Sequence, residues 1–447
     1  MFVDLNSRTR PYYSRRCKRV SSTNIESLPD ELLFHILVRL QADYLYDRAR
    51  LVCRRWYHLI HSHAFVNTHL QHSAYGLLLS DRKGGGYPIF VTATQGRIQT
   101  SEFSYKCRIH LWSSCNGLAM EIHYSYGDGY SDHIINPATK QPFVLPSFSF
   151  SGGRVVFSRS FGGVASVAAS EEYKVASSYI ASVPPDSPSL ALAILTAGVD
   201  NFWRDVRVEH LSILARSLLS EIPLITEGFM HWAKENRTDL LTLDVETEIL
   251  TVSEVPLPKA YCMTAPKYYL STGRSLSLLV ARENLLWELW AMKPGTREWT
   301  KLVADIKLGA QKCRLQQFSG VLEPLGWVKY PEVLALCFKG ESRSCACIFY
   351  NLDTHEIDSI ELRTTRYGYR GLVHKNSLMW ETTFRDKNVH ENKELKASQS
   401  ALKMSRCLAI AFSTILIRMK WIDSIELRTA CYGLEGAVHK NSLMWLS

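Results

Sequence analysis

"TEGFMHWAKENRTDLLTLDVETEILTVSEVPLP" occupies residues 226–258, and its rhythm decides the fold of most of the chain. A short apolar strand, a polar turn, a strand of alternating character, a turn opened by Asp244 and a closing strand follow one another without a break. Period-two alternation bounded by turn residues marks half-buried antiparallel strands. The rhythm returns in "CNGLAMEIHY…HIINPATKQPFVLP" (115–146) and in "RENLLWELWAMKPGTREWTKL" (282–302). Turn signals such as "KGGGYP", "SYGDGY" and "VPPDSP" punctuate the stretches between, and "EHLSILARSLLS" (209–220) is the one helical candidate among them. Short strands at this spacing predict an all-β array, a sandwich pair or a propeller. The recurring four-stranded unit favours the propeller, because such units bury little alone and must stack around an axis.

The front of the chain reads differently. In "LPDELLFHILVRL" (28–40) the aliphatics Leu32, Leu33, Ile36, Leu37 and Leu40 fall at helical spacing on one stripe. Ser27 and Asp30 make a capping-box pattern, Pro29 suits a first turn, and Asp30 and Glu31 complement the positive end of the helix dipole. A second helical stretch, "DYLYDRARLVCRRWYHLI" (43–60), gathers Leu45, Ala49, Val52, Cys53, Trp56, Leu59 and Ile60 on one face and leaves the arginines off it. Phe65 and Leu70 extend the pattern. Two or three short helices make too small a core to stand alone, so they pack on the rest of the chain or are covered by another protein.

Charge and cysteine usage exclude several classes. The net charge is +9, but residues 1–20 hold six basic side chains against Asp4 alone, and residues 21–72 are balanced at five and five. What remains is too dilute for a groove that tracks nucleic acid. The basic leader reads as a solvated tail, with "SRRCKR" a candidate nuclear import signal. No apolar stretch follows a charged start as in a secretory signal, and "CLAIAFSTILI" (407–417) is too short to span a bilayer. The expectation is a soluble intracellular protein that binds neither nucleic acid nor membrane. Eleven irregularly spaced cysteines show no disulfide framework and no paired zinc motif. Cys345 and Cys347 read as one face of a strand, and His61 and His63 lack partners at ligand spacing. "RKGGGYP" lacks the ending of a phosphate loop, and no nucleophile elbow or zinc-protease motif occurs. Asp128 and Asp132 read as turn residues, and Trp112, Trp232, Trp287, Trp290 and Trp299 as core. The expectation is a protein without catalytic residue, metal or cofactor.

"LPDELLFHILVRL", "RLVCRRWYHLI" and "AFVNTHL" together resemble an F-box in the leading Leu-Pro, the aliphatic run, the Val-Cys-x-x-Trp core and the terminal Phe. The resemblance implies docking to a Skp-type adaptor and through it to a cullin-RING ubiquitin ligase. Carried over, Leu28, Pro29, Leu32, Leu33, Ile36 and Leu37 meet the adaptor. Val52, Cys53 and Trp56 hold the helices together and share in the contact. Tyr44 and Tyr46 stand where the family usually has a more aliphatic start to its second helix. Downstream, "SCNGL", "NPATKQ…LP", "EEYKV", "GFMHWA", "LTLDVETE", "ELWAMK…WTKL" and "IFYNLDTHEIDSIEL" resemble, in order, the kelch-like F-box-associated domain of plant F-box proteins. Together they imply an α+β multidomain chain, a small helical F-box followed by an all-β, propeller-like domain. Its function is then that of a non-catalytic ligase subunit, nuclear or cytoplasmic, binding an unknown protein substrate. A sugar-binding or enzymatic propeller with an incidental leader, and a decayed paralogue without a substrate, are the other classes.

The expected organisation is a leader at 1–24, the helical domain at 25–72, the β domain at 77–380 with its own core, a polar linker at 381–406 and a further segment at 407–447. That last segment contains a repeat. "IDSIELRTTRYGYRGLVHKNSLMW" (357–380) returns as "IDSIELRTACYGLEGAVHKNSLMW" (422–445), with 19 of 24 residues identical. It reads as a truncated, dispensable duplication of the end of the final blade.

Overall fold

The computed structural model describes residues 28–379, apart from 83–85, 95, 108–109, 126–128, 148–154, 168, 183–188, 259–264, 283–285, 295, 308–320, 340–345 and 363–367. The expected leader, linker and second repeat copy lie outside the described residues. Four α-helices come first among the described residues: α1 (Asp30–Leu37), α2 (Ala42–Asp47), α3 (Arg54–Ile60) and α4 (His63–His72). Twenty-four strands follow in six antiparallel four-stranded sheets, which are the blades of a propeller.

The first blade joins β1 (Tyr75–Asp81), β2 (Ile89–Thr94) and β3 (Arg97–Glu102) to the last of the described strands, β24 (Tyr369–Lys375). The second holds β4 (His110–Cys115), β5 (Leu118–Ser125), β6 (Gly129–Asn136) and β7 (Gln141–Val144), and the third β8 (Val155–Ser166), β9 (Tyr173–Ser182), β10 (Ser189–Thr196) and β11 (Arg204–Val206). A short helix, α5 (Ile213–Ser217), leads to the fourth, with β12 (Leu224–Thr226), β13 (Phe229–Ala233), β14 (Asp239–Asp244) and β15 (Ile249–Glu254). The fifth holds β16 (Lys267–Ser271), β17 (Leu276–Arg282), β18 (Leu286–Met292) and β19 (Trp299–Lys307). The sixth holds β20 (Val321–Lys329), β21 (Val333–Lys339), β22 (Ala346–Asn351) and β23 (Ile357–Glu361).

Local chemistry explains the repeat. Asn136, Asp244 and Asn351 each end the third strand of a blade, and their side-chain oxygens accept from the N–H two residues on. The chain then turns through "PATK", "VETE" or "LDTH", whose last residue (Lys140, Glu248, His355) adopts a left-handed φ of 58–61°. Thr stands third in each turn. Asn116-Gly117 makes the tight hairpin between β4 and β5, both residues at positive φ, as Asn-Gly favours.

The inner strands β24, β4, β8, β12, β16 and β20 line the axis, each beside the next, and β20 lies against β24 to complete the ring. β24 pairs with β1 along its whole length, from Tyr75↔Lys375 to Asp81↔Tyr369. The last of the described strands thus completes the blade that β1 begins. The first repeat copy is therefore not the end of one blade: it spans the outer strand of the sixth and the inner strand of the first.

Two expectations about cores change. Trp232 and Trp287 are buried as expected, but Asp132 is buried within β6 rather than set in a turn. The helices do not sit apart from the propeller. Leu33, Leu37, Leu45 and Phe65 belong to one contiguous apolar core with Leu78, Phe90 and Met379. The expected boundary between 72 and 77 marks a change of element and not a boundary between cores.

Candidate functional site

The aliphatic stripe of α1 divides in two. Leu33 and Leu37, one turn apart, are fully buried, while Leu32 and Ile36 are 52% and 49% exposed. Each residue advances about 100° around a helix, so neighbours in sequence face apart. Leu33 and Leu37, expected at an adaptor, instead fill the joint core, where the Phe34 ring also meets Phe65 edge-on at 5.1 Å. Pro29 is exposed and Leu28 half-buried. Pro29 occupies the N-cap position without a side-chain capping bond, and Ser27 lies outside the described residues.

The second helical stretch breaks as well. α2 ends at Asp47, Ala49–Leu51 form a 3-10 turn, and Cys53 is extended before α3 begins. The break takes Val52 (59% exposed) and Cys53 out of the apolar face, so they do not hold the helices together. Trp56 does pack against the core. Arg55 ties the pieces: its Nε donates to Asp30 at 2.6 Å and its Nη2 to the Leu28 carbonyl at 2.5 Å. Leu51 (69% exposed) and Val52 lie in the turn just before α3. Leu32, Ile36, Leu51 and Val52 are thus four exposed aliphatics of the helical region.

The other side of the helices is fastened to the propeller. Lys140 Nζ donates to Asp47 at 2.6 Å, Gln141 Nε2 to the Tyr46 phenol at 3.0 Å, and Asn376 Nδ2 to Asp43 at 3.2 Å. Asn67 reaches Glu171 at 3.2 Å, and the buried His69 meets the Leu40 carbonyl at 2.9 Å. Tyr46, atypical as an F-box residue, is accounted for by Gln141: it faces the propeller. A cavity of about 200 Å³ remains at the joint, lined by His63, Asn67, Asn116, Glu171, Tyr173 and Met379.

All these contacts lie at the end of the ring that carries the short turns 116–117, 137–140 and 167–172. The described parts of the connections from outer to inner strands, 103–107, 145–147, 207–223, 255–258 and 265–266, lie at the opposite end. Toward that end, near the starts of β24 and β4 and midway along β8, Arg370 stacks over Trp112 at 4.7 Å and Trp112 meets Phe161 at 4.5 Å. Arg370 donates to the Leu111 carbonyl at 3.4 Å, and burial followed by the neighbouring Arg82 lowers it to about 10. Arg82 is paired with Glu323 at 3.0 Å. Sequence reasoning missed this cluster, because the ring brings together residues some 260 positions apart. Among the described residues, no three His, Cys, Asp or Glu side chains group as metal ligands, and no helix is long and apolar enough to cross a membrane.

The F-box-like family model matches residues 25–70. The molecule is thus an F-box-like helical domain followed by a six-bladed β-propeller. No curated protein matches the chain. Among solved structures it is similar to TolB from Acinetobacter baumannii, at 10% identity over 68% of this chain and 67% of that one (TM-score 0.36). Pseudomonas aeruginosa periplasmic gluconolactonase PpgL aligns at 10% identity over 66% and 98% (TM-score 0.36). The SapL1 lectin in complex with alpha methyl fucoside aligns at 8% over 65% and 97% (TM-score 0.33). Likenesses this distant carry no argument about what this chain does.

Proposed function

We propose that this protein is the substrate-recognition subunit of a Skp–cullin–F-box ubiquitin ligase, with a kelch-like, plant-type F-box-associated propeller as its receptor. The observation that carries the reading is a set of exposed aliphatics: the helices that match the F-box-like family are fastened to the propeller and still leave Leu32, Ile36, Leu51 and Val52 bare. Side chains of this size contribute about 1.5–3 kcal/mol each when fully buried, so covering four half-exposed ones offers roughly 3–6 kcal/mol before association costs. Left open, such side chains are an aggregation hazard.

The receptor works by position. The adaptor binds at the helices, the substrate at the far mouth of the ring, and the rigid joint between them sets the distance to the ubiquitin-carrying enzyme. The chain supplies no nucleophile; bond chemistry belongs to other subunits, in the nucleus or cytoplasm. Arg370, Trp112 and Phe161 have the residue types that anchor protein interfaces, and they are the first place to look for substrate contacts.

The test is capture by a purified Skp-type adaptor. Leu32→Asp with Ile36→Asp puts charges into a desolvated contact, at a cost of several kcal/mol, and abolishes capture while the melting temperature stays within a few degrees. Full capture by the folded double variant would refute the docking surface.

A further inference from the structure

Toward the far mouth of the ring lies a cation that meets no counter-charge among the described residues. Arg370, near the start of β24, is half-buried. Of the five N–H donors on its guanidinium only one at Nη1 is engaged among the described residues, 3.4 Å from the Leu111 carbonyl. Its other neighbours are the Trp112 ring, 4.7 Å away, and the like-charged Arg82. The carboxylates nearby act elsewhere. Glu323 accepts from Arg82 Nη2 at 3.0 Å, and Asp81 bears on His110 and not on Arg370. Burial and then Arg82 lower Arg370 to about 10, the direction that follows when a cation lacks a counter-charge.

The surroundings hold donors in excess and aromatic walls. The Trp112 indole N–H is buried without an acceptor. His110 meets the Trp112 ring edge-on at 5.5 Å, and Phe161 meets it at 4.5 Å. Burial and the Arg370 charge lower His110, which is therefore a neutral imidazole at pH 7. Arg370, Trp112, His110 and Phe161 each stay partly exposed, so the cluster is open to a ligand. A guanidinium held among rings, partly out of water, pairs with an anion more strongly than a fully solvated one does.

Building on the receptor role proposed above, we propose that Arg370, Trp112, His110 and Phe161 form a site for one carboxylate side chain, Asp or Glu, of a substrate peptide laid across the mouth of the propeller. The charge count selects a carboxylate. Arg82 is neutralised by Glu323, so among its described residues the cluster offers one free positive charge. One carboxylate balances that charge, and a phosphate, which carries nearly two, exceeds it. The planar guanidinium fork matches the two oxygens of a carboxylate. The rings beside it suit an apolar residue next to the acid in the peptide.

The probe is an array of end-blocked nine-residue peptides, with random neutral residues around a central Glu, Gln or phosphoserine, offered to the labelled full chain without adaptor. The Glu set binds about tenfold or more above the Gln set, and the phosphoserine set no better than Glu. Arg370→Gln gives up one long hydrogen bond, stays folded, and brings the Glu set down to the Gln level. Glu323→Gln frees Arg82 and raises binding of the Glu set severalfold, a gain that misfolding cannot imitate. Equal binding of Glu and Gln, a preference for phosphoserine, or failure of Glu323→Gln or of folded Arg370→Gln to move binding in its stated direction would overturn the site. None of those results touches capture by a Skp-type adaptor. A chain that prefers Glu but captures no adaptor keeps the site and refutes the ligase role.

Discussion

Leu32 and Leu33 are adjacent in sequence and opposite in environment, and the difference is measurable. Leu33→Ala opens a cavity in the joint core and costs about 2–5 kcal/mol in urea denaturation. Leu32→Ala removes a half-exposed side chain and stays within about 0.5 kcal/mol. Equal costs would mean that α1 is rotated from the orientation described. Two histidines make a second residue-level prediction. His231, between the Thr226 and Thr242 hydroxyls, and His374, against Ser114, are both lowered to about 3, chiefly by burial. The unfolded chain takes up their protons near pH 6.5 and the folded chain does not until about pH 3, so their contribution is fully present above pH 6.5 and is lost as the pH falls below it. Stability falls by roughly 1.4 kcal/mol per pH unit for each histidine between about pH 6 and 4. Replacing His374 by Gln removes one proton's share of that slope in denaturation series at several pH values; an unchanged slope would contradict the burial.

At the scale of elements, what was legible followed from local chemistry. The strands announced themselves because their alternation and their Asn/Asp-led turns are properties of neighbours in sequence, as in "NPATK" and "DVETE". α1 was legible as a helix, but not which half of its stripe faces inward, since Leu32 and Leu33 are alike until a partner surface exists. The stretch 43–60 read as one helix because its apolar spacing runs on through the 3-10 turn; nothing in Val52 or Cys53 signals the break. β24 was the hardest to place, as its partner β1 is nearly 300 residues away and no local signal encodes that pairing. Its role gives a sharp expectation. A chain ending at Trp380 keeps the melting temperature of the intact protein. A chain ending at Glu361 lacks the closing strand, leaves β1 an open edge and loses its cooperative transition by calorimetry. Survival of the shorter chain would show that the ring does not depend on its clasp.

At the scale of the whole molecule, the helices and the propeller behave as one body because apolar packing and polar ties act on the same surface. Individual ties such as Lys140–Asp47 contribute at most about 1 kcal/mol each, so the joint rests mainly on the shared core around Phe65 and Met379. A fragment starting at Ser73 retains its six sheets and its β-type circular dichroism, but melts several degrees lower once that surface is uncovered. An identical melting temperature would return the two parts to independent cores. The proposed role draws on this rigidity, since a receptor that orients its cargo needs a fixed distance between its two ends. The most direct measurement is hydrogen exchange of the full chain with and without a purified Skp-type adaptor. The account predicts new protection confined to 30–37 and 49–55, with the connections at the far end of the propeller unchanged; protection on the propeller alone, or none anywhere at saturating adaptor, would contradict it.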